Sequence, residues 1–264
     1  LPKALIEKVF FSAERRAINE AQAILEETQS RLEELIEEQT GEKLVRDAMA
    51  SWSGPKDEVL IATKVGHYRN FTDGKPTWAV DGSPENLIRR AKESALALGV
   101  DTIDLLYFHR PDPRIPYGES IEAIKQLVDE GVAREAGVSN ASIEQMDIAH
   151  EILGNKLIAV QNQFSPIYTE TADTLEHAAR IGISFVCWSP LGGFRKPKDE
   201  SKFDPFRAIA DKRGVSYQQV VLAWELAKGD HVFVIPGAHR PATILDSLKA
   251  GDLELTPEEL ATLG

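Results

Sequence analysis

Apolar positions along the chain follow two patterns that meet near residue 41. Upstream, Ile18, Ala21, Leu25, Thr28, Leu32 and Leu35 recur at three- and four-residue spacing, which draws one seam along a helix. Glu14, Arg15, Glu20, Glu26, Arg31, Glu33 and Glu37 fall on the other faces, and Gly41 offers a stop. The pattern predicts a long amphipathic helix within residues 12–40. Its seam packs on a core or, over about two and a half heptads, pairs with a second helix.

Downstream of Lys56, short apolar runs alternate with amphipathic stretches. The runs at 58–63, 103–108, 133–138, 157–161, 183–188 and 232–235 suit buried parallel strands. The stretches at 84–98, 121–130, 143–153, 171–181 and 205–228 suit helices. Strand-helix alternation builds a parallel sheet with helices outside it. The predicted fold is α/β and TIM-barrel-like, (β/α)8 in plan. Six strands are legible where a closed barrel has eight, with a weak further candidate at 5–11. Two segments are expected: a helical one at 1–41 and a barrel at 42–264.

Composition narrows the function. The chain has 264 residues and a net charge of −12, from 30 basic and 42 acidic side chains. That balance argues against a nucleic-acid or anionic-membrane partner, either of which favours a basic patch. No run approaches the roughly 18 apolar residues of a membrane span, and no signal-peptide pattern is evident. The single cysteine, Cys187, cannot form a disulfide within the chain and suits a cytoplasmic protein. The chain starts at Leu1 rather than Met, as a fragment or processed product would.

The chemistry gathers after the apolar runs, where a (β/α) barrel builds its active site. In order, the run ends read Thr63-Lys64-Val65-Gly66, Phe108-His109-Arg110-Pro111-Asp112, Gly137-Val138-Ser139-Asn140 and Val160-Gln161-Asn162-Gln163. Two more follow: Trp188-Ser189-Pro190-Leu191-Gly192-Gly193 and Ile235-Pro236-Gly237-Ala238-His239-Arg240. Lys64 and His109 are polar residues just past apolar strands, suited to tuning a phenol and donating to a carbonyl oxygen. Each also reads as an ordinary structural residue: Lys64 as a surface lysine, His109 as a core histidine, Ser139-Asn140 as a turn, Trp188 as core.

This ordered series resembles the aldo-keto reductase family over residues 42–263. The resemblance implies a (β/α)8 barrel that binds a nicotinamide dinucleotide, usually NADP(H), and reduces the aldehyde or ketone of a small molecule by hydride transfer. It implies Lys64 and His109 as catalytic residues. Ser139, Asn140 and Gln161 would fix the nicotinamide carboxamide, and Trp188 would stack on the ring. Ser189, Leu191 and Gly193 would approach the pyrophosphate; Pro236, Gly237, Arg240 and Ser247 would lie over the adenosine phosphate. Gly237, Ala238, Thr243 and Ser247 stand where many relatives carry Lys, Ser, Arg and Asn, so NAD stays open beside NADP. No metal site is expected.

The family's catalytic tetrad is Asp, Tyr, Lys and His. Lys64 and His109 match the last two, but the Asp and Tyr have no counterpart, and no Tyr precedes Tyr68. Residues 1–40 replace the first two βα units with a helical pattern, as a fused or substituted front would. Tyr68 and Tyr107 are alternative donors. Otherwise His109 is the expected acid, with residual activity that rises toward pH 6 and depends more on His109 than on Lys64. The alternative function is a non-catalytic nicotinamide-dinucleotide-binding protein. The segment 66–80, with Tyr68, Phe71 and Trp78, is expected to be a loop at the pocket mouth.

Overall fold

The computed structural model describes residues 41–72, 75–193 and 200–264. The expected helix within 12–40 and the weak strand at 5–11 lie outside the described residues. The chain divides into two compact units. One comprises Glu37–Gln161 with Arg180–Ile183, the other Asn162–Ala179 with Ser184–Gly264.

The first unit opens with α1 (Gly41–Ser51) and β1 (Ala62–Val65), then β2 (His67–Thr72) and β3 (Lys75–Val80). It continues with α2 (Pro84–Leu98), β4 (Ile103–Phe108), α3 (Tyr117–Asp129), β5 (Ala133–Ser139), α4 (Ile143–Leu153) and β6 (Leu157–Gln163), whose last two residues lie in the second unit. β1, β4, β5 and β6 pair in that order, all parallel. The βα repetition read from the sequence is therefore present. Apolar residues on both strand faces serve it, since the helices cover one side and the strand interior fills the other. Leu87, Ile103, Leu106, Phe108, Ile121, Leu127 and Met146 are fully or almost fully buried. The helices are capped as expected of their sequences: Ser142 and Gln145 form a capping box on α4, and Gly99 closes α2 in the left-handed region.

Four expectations shift. The first strand, expected at 58–63, is Ala62–Val65, because residues 56–58 take a 3-10 turn after Pro55. Lys64 thus stands inside the strand rather than past it. The segment 66–80 is not a loop: β2 and β3 form an antiparallel hairpin with His67 opposite Val80. The Asp73-Gly74 dipeptide between aromatic, β-branched runs is the signal that a loop assignment overlooks. Gly41, read as a stop, lies in the helix α1, and the helix it was expected to end lies outside the described residues. None of α1's side chains is buried, yet Glu42 accepts from Thr63 Oγ1 at 3.1 Å and Ser94 Oγ at 3.0 Å, which fastens it beside β1. Among the described residues, β1 has only β4 as a strand neighbour.

The fourth shift is in the second unit. The helix expected at 205–228 is two helices, numbered after α5 (Ala172–Ile181) and β7 (Ser184–Trp188). They are α6 (Asp204–Arg213) and α7 (Tyr217–Leu226). Gly214 at φ 67° breaks them, and Ser216 caps the second by accepting from Gln219 N. β8 (Val232–Ile235) pairs parallel with β7, and α8 (Pro241–Leu248) and α9 (Pro257–Leu263) complete the unit. Its core is aromatic: Phe164 stacks on Trp224 at 5.5 Å, with Phe206 edge-on to Trp224 at 5.6 Å.

Glu225 is wholly buried beside that core, and neither carboxylate oxygen has a hydrogen-bond partner among the described residues. Burial pushes its carboxyl well above the ordinary 4.5. A carboxyl so raised binds its proton more tightly folded than unfolded. Its contribution is therefore fully present below pH 4.5 and is lost as pH rises toward the folded value. Glu225→Leu is expected to stabilise the protein by about 1–3 kcal/mol at neutral pH, read as a higher urea midpoint. It should also flatten the decline in stability above pH 4.5.

Candidate active site

In the first unit the strand ends are laced together. His109 N donates to Val65 O at 2.9 Å, tying β4 to the end of β1. Asn140 Nδ2 donates to His109 O at 3.0 Å and to Ser139 Oγ at 3.0 Å. Asn140 N donates to Gln161 O at 3.0 Å, and Ser139 Oγ donates to the same carbonyl at 2.7 Å. Asn140 holds this position at φ 55°, in the left-handed region that asparagine tolerates better than most residues. Both its amide hydrogens are committed, so Oδ1 is what it offers a ligand. Ser139 is buried and acts through Asn140.

Lys64 lies opposite Tyr107 in the β1–β4 register, its Nζ 5.7 Å from the centre of the Tyr107 ring. Tyr107 is buried, and its hydroxyl is hydrogen-bonded to the Gln161 side chain; burial, only partly offset by that bond, raises its pKa. This makes it a poor proton donor. It fits because the opposing residue on β5 is Gly137, where an added Cβ would run into the Tyr107 ring. Lys64 is half-buried, and burial lowers its pKa from 10.5. It has no ion pair among the described residues.

His109 meets His67 edge-on at 4.7 Å, and His67 stacks on Trp78 at 4.9 Å. Burial, then the charges of His67, Lys64 and Arg110, push His109 down to about 3. His67 is lowered too, by burial and then Arg110. The lowered pKa disfavours the imidazolium that activity rising toward pH 6 would need. His109 is neutral throughout pH 5–8, because desolvation and neighbouring positive groups both disfavour its charged form. His67 is a residue that sequence reasoning missed, since its approach to His109 depends on the hairpin. A cleft of about 200 Å³ is lined by Lys64, His67, Tyr68, Glu42, Arg90 and Glu93, among others.

Asp112 clamps the loop after β4. Its buried carboxylate accepts from Gly82 N at 3.1 Å, Arg114 N at 3.0 Å and Arg114 Nε at 2.9 Å. The Arg114 side chain, then the backbone N–H groups, hold it far below its usual 3.8.

In the second unit, Trp188 ends β7 and Ser189 follows at φ 52°, the second non-glycine residue in the left-handed region among those described. Leu191 is half-buried. Gly192 and Gly193 have φ 90° and 77°, and an added Cβ would come within 2.7 Å of Ile167 or 3.1 Å of Ser189 Oγ. Only glycine fits there, and Gly193 leaves its backbone exposed. After β8, Pro236 is half-buried while Gly237 and Arg240 are exposed. Arg240 is the N-cap of α8, and Pro241 occupies the first turn. A guanidinium at a helix N-terminus suits a phosphate. Ser247 is buried at the other end of α8. An open glycine backbone in one segment and a cationic helix start in the other fit a phosphate-bearing cofactor.

A sequence profile described as the Aldo/keto reductase family matches residues 37–264. The chain belongs to this family. It is 30% identical to aldo-keto reductase str7 of Strobilurus tenacellus, over 80% of this chain and 69% of that one. It is 28% identical to an uncharacterized oxidoreductase of Schizosaccharomyces pombe, over 85% of this chain and 70% of that one. Among solved structures, the thermostable aldo-keto reductase Tm1743 superposes with a TM-score of 0.72 at 26% identity, over 84% of this chain and 76% of that one. An aldo/keto reductase from Klebsiella pneumoniae, solved with NADP and acetate, gives 0.69 at 25%, over 84% and 74%. The fold is thus the α/β, (β/α)8 type, and the chain is an aldo-keto reductase by descent. No helix among the described residues is long and apolar enough to cross a membrane.

Asp112→Ala is expected to cost about 2 kcal/mol at pH 7, measured by urea denaturation. The contribution of a carboxylate held below its ordinary value is intact above pH 3.8 and lost as pH falls below it. The difference between wild type and Asp112→Ala should therefore shrink in acid.

Proposed function

We propose that this chain is an NADP(H)-dependent reductase of small aldehydes or ketones, with Lys64 as proton donor in place of the family's missing tyrosine. The observation that carries this is the laced rim of strand ends, which ties the residue after Lys64 to His109 and His109 to Asn140. A reduced nicotinamide, when bound, supplies the hydride. Asn140 Oδ1 would orient the carboxamide, with Ser139 and Gln161 holding Asn140 in place. Trp188 would stack on the ring, with Ser189, Leu191 and Gly193 lining the pyrophosphate. Pro236, Gly237, Arg240 and Ser247 would enclose the adenosine phosphate, and Arg240 would favour NADPH over NADH.

The proton half falls to Lys64. An ammonium whose pKa burial has lowered is a stronger acid than an ordinary lysine. Neutral His109 can still donate an N–H to the carbonyl oxygen and orient it. The single free thiol of buried Cys187 suits the reducing cytoplasm. A second reading, a cofactor-binding protein without catalysis, draws on Tyr107. Burial raises its pKa, which leaves Lys64 without Tyr107 as an acid partner.

NADPH oxidation with a reactive aldehyde separates the readings. Lys64→Met should lower kcat by about 10²–10⁴, and the wild-type rate should fall as pH rises toward the lowered lysine value. No inflection is expected near pH 6.5. A rate that rises toward pH 6, or that survives Lys64→Met, contradicts the proposed donor. Tight NADPH binding with no turnover supports the second reading. Arg240→Ala should weaken NADPH binding about tenfold or more and leave NADH binding unchanged, as calorimetry can show.

A further inference from the structure

We infer that Lys64 is a carbonyl-capturing amine that forms an imine with small aldehydes, with no nicotinamide involved. The geometry that sets it apart is a half-buried amine 5.7 Å from the centre of the Tyr107 ring, on a residue that borders a cleft, without a carboxylate partner among the described residues. Both acids in the same cleft are engaged elsewhere. Glu42 Oε1 accepts from Thr63 and Ser94, while Glu93 is bridged by Arg89 at 2.7 Å and Arg90 at 3.2 Å. Arg90 also lies over the Tyr68 ring at 5.6 Å. Nothing described therefore holds Lys64 as an ion pair, and burial favours its neutral, nucleophilic form.

The step balances without an oxidant or reductant. The amine nitrogen attacks the aldehyde carbon, a C–N bond forms, and a proton passes from nitrogen to oxygen to give a carbinolamine. The C–O bond then breaks. Oxygen leaves as water with the second nitrogen-borne proton, and the C=N bond remains. The step needs the free amine, whereas the proposed reductase needs the ammonium. The two activities therefore respond oppositely to pH, and failure of one leaves the other standing.

The test uses the full chain with butanal and sodium cyanoborohydride, no nicotinamide added, and peptide mapping by mass spectrometry. Cyanoborohydride reduces any imine to a stable butyl-amine. Lys64 is expected to be butylated at least about tenfold faster than exposed lysines such as Lys56 and Lys212. Excess unlabelled benzaldehyde should compete for it. Lys64→Arg should remove the fast adduct and leave the slow labelling of other lysines unchanged. The inference is overturned if wild-type Lys64 labels no faster than Lys56. A fast adduct that persists in Lys64→Arg overturns it as well.

Discussion

The first unit's chemistry depends on the hydrogen bonds that Asn140 makes at the ends of three neighbouring strands. Its side chain reaches back to the carbonyl of His109 on one side, and its backbone N–H reaches the carbonyl of Gln161 on the other. His109 in turn donates its own N–H to Val65, one residue after Lys64. A left-handed backbone at Asn140 makes this span possible, and strain of that kind concentrates where side chains must be aimed. Loss of this lacing would free the strand ends and uncouple Lys64 from His109.

The same region is electrostatically unusual for what it lacks. Lys64 is partly desolvated beside an aromatic ring, and no described carboxylate offsets that cost. His109 is desolvated beside a second histidine and two cationic side chains, which keeps it neutral. Gly137 contributes by omission, since the space of its missing side chain is filled by the Tyr107 ring that lies near Lys64.

The second unit shows a different economy. Its aromatic cluster of Phe164, Phe206 and Trp224 supplies packing, while Glu225 beside it carries a carboxyl without a described hydrogen-bond partner, whose pKa burial raises. The segments after β7 and β8 are glycine-rich or exposed, which leaves their backbone open to approach. Asp246 anchors α8 by accepting from Ser216 at 2.5 Å and Gln219 at 2.6 Å, so the helix that carries Arg240 is fixed to α7.

The sequence by itself determined the βα alternation, the strands around Leu106, Val138 and Val160, and the family. These follow from local apolar periodicity and from short motifs in fixed order, which survive without knowledge of distant contacts. The tertiary structure decided the rest. Lys64 moved into a strand because β1's ladder is set by its pairing with β4. Residues 66–80 became a hairpin that carries His67 to His109. His109 lost its titration near neutrality because burial and nearby charge, which no spacing along the chain records, set a pKa. Tyr107 became unsuited to donate a proton because the packing of neighbouring strands buries it and burial raises its pKa, an effect the Gln161 bond only partly offsets. Residue types and order fix which elements form, but desolvation and charge act through space, and only the folded chain brings the groups that exert them together.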